Sequence, residues 1–219
     1  RLTHQRLERL WAHLVPQLKN KYIVVEWDLK DKKDIFSQEF EATASKCDAI
    51  VHLAAQVSVN KSFDNPLETF LLNVVGTARI CHIAAKYGLK LVYPSSAAVY
   101  HRELSPYAES KAMAEDICRQ LQVLGGRVTI LRFFNIYGPG MNPDSGSVMY
   151  QFLEGARKGK ITVYGDGEQT RDWIHIDDIV RIIEASLAER WNGQIVDCGS
   201  GKANSVNYVV GLFKYFGDR

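Results

Sequence analysis

The chain has 219 residues, 46% hydrophobic and 24% charged, with a formal net charge of +2. These are the proportions of an ordinary globular protein, and the near-neutral balance excludes the basic signature of a nucleic-acid or anionic-membrane partner. No apolar run approaches the ~20 residues that cross a bilayer. The cysteines Cys47, Cys81, Cys118 and Cys198 are scattered, with no Cys-x-x-Cys pair, so they read as free thiols rather than disulfides or a metal site.

In chain order, residues 2–15 carry Leu7, Leu10, Trp11 and Leu14 at helical spacing, which predicts a short amphipathic helix. Residues 22–26 (YIVVE) form a β-rich run, and residues 33–45 are polar and mostly helical. Residues 49–54 (AIVHLA) form an apolar run of strand length, suited to burial on both faces of a parallel sheet. Asn65-Pro66-Leu67-Glu68 is a capping box with proline at the first helical position. The helix it opens, 66–87, has a broad apolar stripe and ends at Gly88. A strand at 91–93, a helix at 106–123 closed by Gly125-Gly126, and a strand at 128–134 follow. This β-α-β alternation predicts an α/β fold, a Rossmann-like doubly wound parallel sheet.

After Asn135 the texture changes to a Gly/Pro/Asn/Ser-rich loop, IYGPGMNPDSGS. A helix near 148–158, a short strand at 161–164, a helix at 179–188, a strand at 194–198 and a final helix from Ser205 complete the chain. We expect residues 1–135 to form the main domain. Residues 136–171 and 199–219 would form a smaller mixed α/β substrate lobe, with 172–198 returning to the main domain. A cleft between them, at the strands' carboxyl ends, is the usual ligand site of such sheets.

The chemistry concentrates at residues 91–111, LVYPSSAAVYHRELSPYAESK. Ser105 is a natural N-cap and Pro106 fits the first helical position. Tyr107 and Lys111 are then four apart on one helix face. An ammonium beside a phenol favours the phenolate, so Lys111 is expected to draw Tyr107 below its usual ~10, toward general-base use. Ser95 and Ser96, at the end of the preceding strand, offer hydroxyls to a reacting oxygen.

SSAAVY followed by SPYAESK resembles the extended short-chain dehydrogenase/reductase family, in its nucleotide-sugar epimerase/dehydratase branch. The resemblance spans nearly all of residues 22–210. It implies a catalytic set of Ser96, Tyr107 and Lys111 working on bound NAD. It also implies cofactor contacts at Asp28, Leu29, Leu53, Ala54, Ala55, Gln56, Asn73, Ser95, Ser96, Tyr107, Lys111 and Phe134. LRFFNIYGPG and YGDGEQTRDWIHIDD resemble the same family and imply substrate contacts at Ser96, Tyr107, Asn135 and Arg171, the last because a guanidinium fork matches a diphosphate. Asp177 and Asp178 read as helix caps, and His175 as structural.

The sequence also departs from the family. No glycine precedes Gly76, so the glycine-rich turn that lets backbone approach a pyrophosphate is absent. The interval from Tyr100 to Ser105 is shorter than the family's usual loop between its serine and tyrosine, and the chain starts at Arg1 with no signal-peptide pattern. We therefore expect an incomplete set of residues. The resemblance implies NAD-dependent C4 epimerisation of a nucleotide sugar of the UDP-galactose/UDP-glucose type, a UDP-hexose substrate, a homodimer through helices 66–87 and 106–123, and a cytoplasmic enzyme. A dehydratase needs an acid pair after the serine, where this chain has Ala97 and Ala98. An NADPH-dependent reductase and a silent nucleotide-binding regulator stay open.

Overall fold

The computed structural model describes residues 27–31, 33 and 37–217. The predicted helix at 2–15 and strand at 22–26 lie outside them. Four parallel strands form the main sheet: β1 (Ala49–Val51), β2 (Lys90–Ser96), β3 (Val128–Phe133) and β6 (Ile195–Cys198), side by side in that order. Parallel strands need crossovers, and helices supply them. The first is α3, made of Pro66–Phe70 and Gly76–Tyr87 joined by a π-helical turn, Leu71–Val75. The second is α4 (Pro106–Val123) and the third is α6 (Ile176–Ser186). Two short helices, α1 (Gln38–Ala44) and α2 (Val59–Asp64), precede α3.

Local sequence places these boundaries. Asn65 Oδ1 accepts from the Glu68 amide at 3.1 Å, and Glu68 answers the Asn65 side-chain amide at 3.3 Å. Gly88 stops α3 in the left-handed conformation, φ 62°, which costs a residue without Cβ little. Ser105 Oγ accepts from the Ala108 amide at 3.1 Å and Pro106 sits at the first helical position. The AIVHLA run leaves the ladder earlier than predicted: β1 ends at Val51, the His52 amide still bonds the Val92 carbonyl, and the chain turns out at Leu53.

Alternate residues of β2 feed opposite faces. Leu91 and Tyr93 join Val128 and Ile130 under α3 and α4, while Val92 joins Leu131, Cys198 and Ile179 on the other face. Of β2, only Ser96 is other than buried, the environment a doubly wound sheet gives its central strands.

The second lobe holds a small sheet. β4 (Asn135–Tyr137) pairs in parallel with β5 (Thr170–His175), which pairs antiparallel with β7 (Ala203–Ser205). Helices α5 (Val148–Arg157) and α7 (Val206–Gly217) cover it through Phe152, Trp173, Val206, Val209 and Val210. The strand predicted at 161–164 does not form, because no ladder partner lies beside it; Ile161 and Val163 instead pack on this core. Within residues 170–198, β5 pairs in the small sheet and β6 in the main one.

Candidate active site

A cavity of about 590 Å³ opens where the carboxyl ends of β1, β2 and β3 meet the second lobe. Such a volume suits a small-molecule ligand. Ser95, Ser96, Tyr107, Lys111, Phe134 and Asn135 line it, with Leu53 and Ala55 across from them. The structure thus gathers residues from four separate segments of the sequence. Among the described lining residues there is no carboxylate and no imidazole, and Lys111 is the one cation.

Lys111 is buried on α4. Its Nζ donates to the Pro94 carbonyl at 2.7 Å and lies 4.8 Å from the centre of the Tyr93 ring. Burial lowers its pKa to about 8, since the charged form loses water. Tyr107 corrects the sequence expectation. Its phenol is held above the usual value, not below, because burial disfavours the phenolate; a hydrogen bond from the Ser96 side chain works the other way. The Lys111 ammonium is committed to the Pro94 carbonyl and the Tyr93 ring. The downward influence on Tyr107 therefore comes from Ser96.

Asn73 does not line the cavity. It is buried within the π-helical turn, Leu71–Val75. Its Oδ1 accepts from the Gln56 amide at 2.8 Å, and its Nδ2 donates to the Gln56 carbonyl and to Ser110 Oγ, both at 2.9 Å. Asn73 therefore fastens the turn after β1 to α4. Gln56 is also spent internally, on the Ser58 carbonyl at 2.9 Å and Thr69 Oγ1 at 3.1 Å.

The remaining expected contacts lie outside the cavity. Asp28 closes a surface turn, accepting from the Lys30 amide at 2.9 Å. Leu29 packs on α3 opposite Gly76, where an added Cβ would meet the Leu29 Cβ at 3.4 Å. Ala54 is exposed beside the cavity, and Arg171 is exposed with Nη1 on the Thr170 carbonyl at 2.7 Å. Among the described residues Arg171 forms no ion pair. Asp172 serves the 199–201 turn instead, through the Ser200 and Gly201 amides at 2.7 and 2.8 Å. His175, not Asp177 or Asp178, is the N-cap of α6, its Nδ1 accepting from the Asp177 amide at 3.3 Å. Both aspartates lie in the first turn, where they complement the helix dipole.

Sequence reasoning missed one wall of the cavity: Tyr137 through Asn142, with Trp173 and Ile176. The available signal was Gly138-Pro139-Gly140. At Gly138, φ is 138° and a Cβ would stand 2.5 Å from Ile176 Cγ2. Only glycine brings this turn so close to α6.

The residues fit the reactive end of a nicotinamide cofactor. Ser95 Oγ is buried in the cavity wall without a hydrogen-bond partner, and Ala55 leaves the opposite wall low. A pyrophosphate cradle of glycines is not part of residues 1–75.

A parallel α/β sheet with a Ser/Tyr/Lys-lined cavity at its carboxyl edge defines a nucleotide-binding enzyme fold. The chain belongs to the NAD dependent epimerase/dehydratase family, which residues 3–199 match. It is 31% identical over 186 residues to a putative UDP-glucose 4-epimerase of Methanocaldococcus jannaschii, covering 77% of this chain and 60% of that protein. It is 32% identical over 184 residues to a UDP-N-acetyl-alpha-D-glucosaminuronate decarboxylase of Bacillus cytotoxicus, covering 74% and 57%. The UDP-glucose 4-epimerase of Thermotoga maritima, solved with UDP-glucose, matches with a TM-score of 0.80 at 26% identity, over 93% of this chain and 71% of that one. The chain thus spans about 60% of the length of the curated relatives it matches.

Proposed function

We propose that the protein interconverts nucleotide sugars at C4, of the UDP-galactose/UDP-glucose type, using NAD. One observation carries the reading: Ser96, Tyr107 and Lys111 share a cavity whose described lining has no carboxylate. Reversible oxidation of an alcohol needs one proton acceptor and one hydrogen-bonding group, which Tyr107 and Ser96 supply. Elimination of water needs a further acid and base, and Ala97 and Ala98 stand where they would be.

Tyr107 takes the proton of the sugar's 4-hydroxyl and returns it to the epimeric alcohol. Ser96 hydrogen-bonds the same oxygen as its charge changes and holds down the Tyr107 pKa against burial. Lys111 keeps a positive charge at the cofactor end of the cavity and orients the cofactor's ribose. Ser95 adds a donor there, and Leu53, Ala55 and Phe134 shape the pocket for the nicotinamide ring. Lys111, Ser95, Leu53, Ala55 and Phe134 would hold NAD, which would supply a reversible hydride acceptor for C4. Asn135, whose Nδ2 is fixed on the Asp172 carbonyl at 2.9 Å, presents its remaining polar atoms to the sugar. Arg171 meets the diphosphate. Asp28, Leu29, Ala54, Gln56 and Asn73 act on the cofactor side by shaping the segments around it.

The decarboxylase relative supports a second reading, oxidation of a UDP-uronate at the same site. Lys111 being the one cation in the described lining favours an uncharged hexose over a uronate, whose carboxylate would seek a cation of its own. The enzyme is proposed to be cytoplasmic and homodimeric, with Leu67 and Leu71 of α3 and Met113 of α4, all exposed, covered by a second copy. Among the described residues no helix is long and apolar enough to cross a membrane.

The test is incubation of the full-length gene product with UDP-galactose, without added cofactor and then with NAD. Appearance of UDP-glucose supports the reading. No conversion in either case, alongside CO2 release from UDP-glucuronate, would replace it with the decarboxylase reading.

A further inference from the structure

Ser96 ends β2 and Tyr107 lies in the first turn of α4, and the segment between them runs along α4. Its 3-10 stretch, Ala97–Leu104, buries no side chain and breaks helical geometry at His101. Two polar clamps fix it. Arg102 grips Glu109 of α4 with Nε and Nη2 at 2.7 and 2.8 Å, a solvent-exposed pair of small worth. Tyr100 makes the other. Its hydroxyl donates to the Asp197 carboxylate at 2.7–2.8 Å and accepts from Arg132 Nη1 at 3.0 Å.

Tyr100 and Asp197 are themselves exposed, but Arg132 ties this second clamp to a buried partner. Strand register puts Ser95, Arg132 and Asp197 in one row across β2, β3 and β6. The Arg132 guanidinium lies 4.8 Å from the centre of the Tyr100 ring and holds the buried Glu115 of α4 through Nε and Nη2 at 3.0 and 2.8 Å. Arg119 adds a third bond to Glu115 at 3.0 Å. A chain of polar contacts thus runs from Glu115 of α4 through Arg132 on the sheet to the connector. At the near end, Ser96 Oγ accepts from the Ala98 amide at 3.2 Å, two residues before Tyr100.

We propose that Tyr100, held by Arg132 and Asp197, is a positioning residue that sets the connector so that the Ser96 hydroxyl meets Tyr107. This rests on the reading of Ser96 and Tyr107 as the reacting pair, and its main test needs no turnover. Tyr100→Phe removes the hydroxyl and keeps the ring under the guanidinium. With tyrosines labelled with carbon-13 at Cζ and the Tyr107 signal assigned through Tyr107→Phe, the Tyr107 titration is followed by NMR. The other groups that face Tyr107 are Lys111 on its own helix and Tyr93 on β2, neither altered by the change.

Tyr107 should titrate about half a unit or more higher in Tyr100→Phe, as the Ser96 hydrogen bond weakens. Asp197→Ala, which breaks the same clamp from β6, should do likewise. Ser96→Ala should give at least the same shift, and adding Tyr100→Phe to it should give no more, since the two act through one bond. An unchanged Tyr107 titration in Tyr100→Phe, or additive shifts in the double variant, would overturn the proposal. In turnover, kcat should fall about ten-fold at unchanged KM; a fall confined to KM would also count against it. A wild type without epimerase activity would defeat the reading of function, while the titration still decides the role of Tyr100.

Discussion

The β2–α4 unit and the small lobe meet at one cavity but are built differently. β2 is buried along nearly its whole length, and α4 buries Lys111 and Glu115, each hydrogen-bonded to the sheet. The small lobe has two strands of three residues, and its outer helices leave Tyr208, Leu212 and Leu153 substantially exposed. A second, more apolar cavity of about 750 Å³ lies there, against Trp173, Met149 and Phe213. The difference teaches where each task is placed. Proton transfer needs groups held to fractions of an ångström and sits on the buried unit. On the proposed function, recognition of the rest of the substrate would fall to the looser lobe.

That division is broken most directly at Tyr107. Tyr107→Phe should lower kcat about a thousand-fold and leave the melting temperature unchanged. Matching wild-type turnover would revive a silent, non-catalytic protein on this fold. Next in size, Glu115→Ala leaves Arg132 without its buried partner and should cost about 3–5 kcal/mol in urea unfolding. A loss below 1 kcal/mol would mean that the ion pair does not hold α4 to the sheet.

The pH dependence follows from His52. It is buried under α3, where its Nε2 lies 3.1 Å from Thr77 Oγ1. Because the Thr77 hydroxyl donates to the Asn73 carbonyl at 2.6 Å, His52 is the donor to Thr77, as the neutral Nε2–H tautomer. Burial, with help from the Lys111 charge, lowers its pKa to about 4. A base with a depressed folded-state pKa binds its proton more readily when unfolded. Stability is therefore complete above about 6.5 and is lost as pH falls toward 4, by about 3 kcal/mol. Urea unfolding at pH 7 and pH 4.5 should show this loss, and His52→Gln should reduce the slope. The smallest effect belongs to the lobe. Arg171→Ala should raise KM about ten-fold, near 1.4 kcal/mol, with kcat changed less than two-fold. A kcat loss equal to the KM rise would move Arg171 into the chemistry.

The same contrast governs what the sequence reveals. The helix at 106–123 was legible to the residue, because Ser105, Pro106 and Gly125-Gly126 mark its ends with local chemistry. The start of the helix at 66–87 was equally clear, but its π-helical turn was not, since that turn answers to Asn73 reaching Gln56 in the tertiary structure. β4 and β7 escaped notice because three residues are too few for an alternating pattern, and each pairs with β5, more than 30 residues away in the sequence. The cavity set of Ser96, Tyr107 and Lys111, the proposed reacting groups, was readable as a spacing. Its electrostatics were not, because spacing shows a lysine one turn away but not that its charge goes to Pro94 and Tyr93. Arg132 and Glu115 carried no local signal at all, and only the packing of α4 on the sheet brings them together.

The central claim is that C4 is oxidised and restored at one site without exchange with water. The direct measurement supplies the full-length protein with UDP-galactose carrying deuterium at C4 and follows the product by NMR and mass spectrometry. The proposed function predicts UDP-glucose with deuterium retained at C4. UDP-glucose that has lost deuterium to solvent, or the labelled substrate recovered unchanged with NAD present, would contradict it.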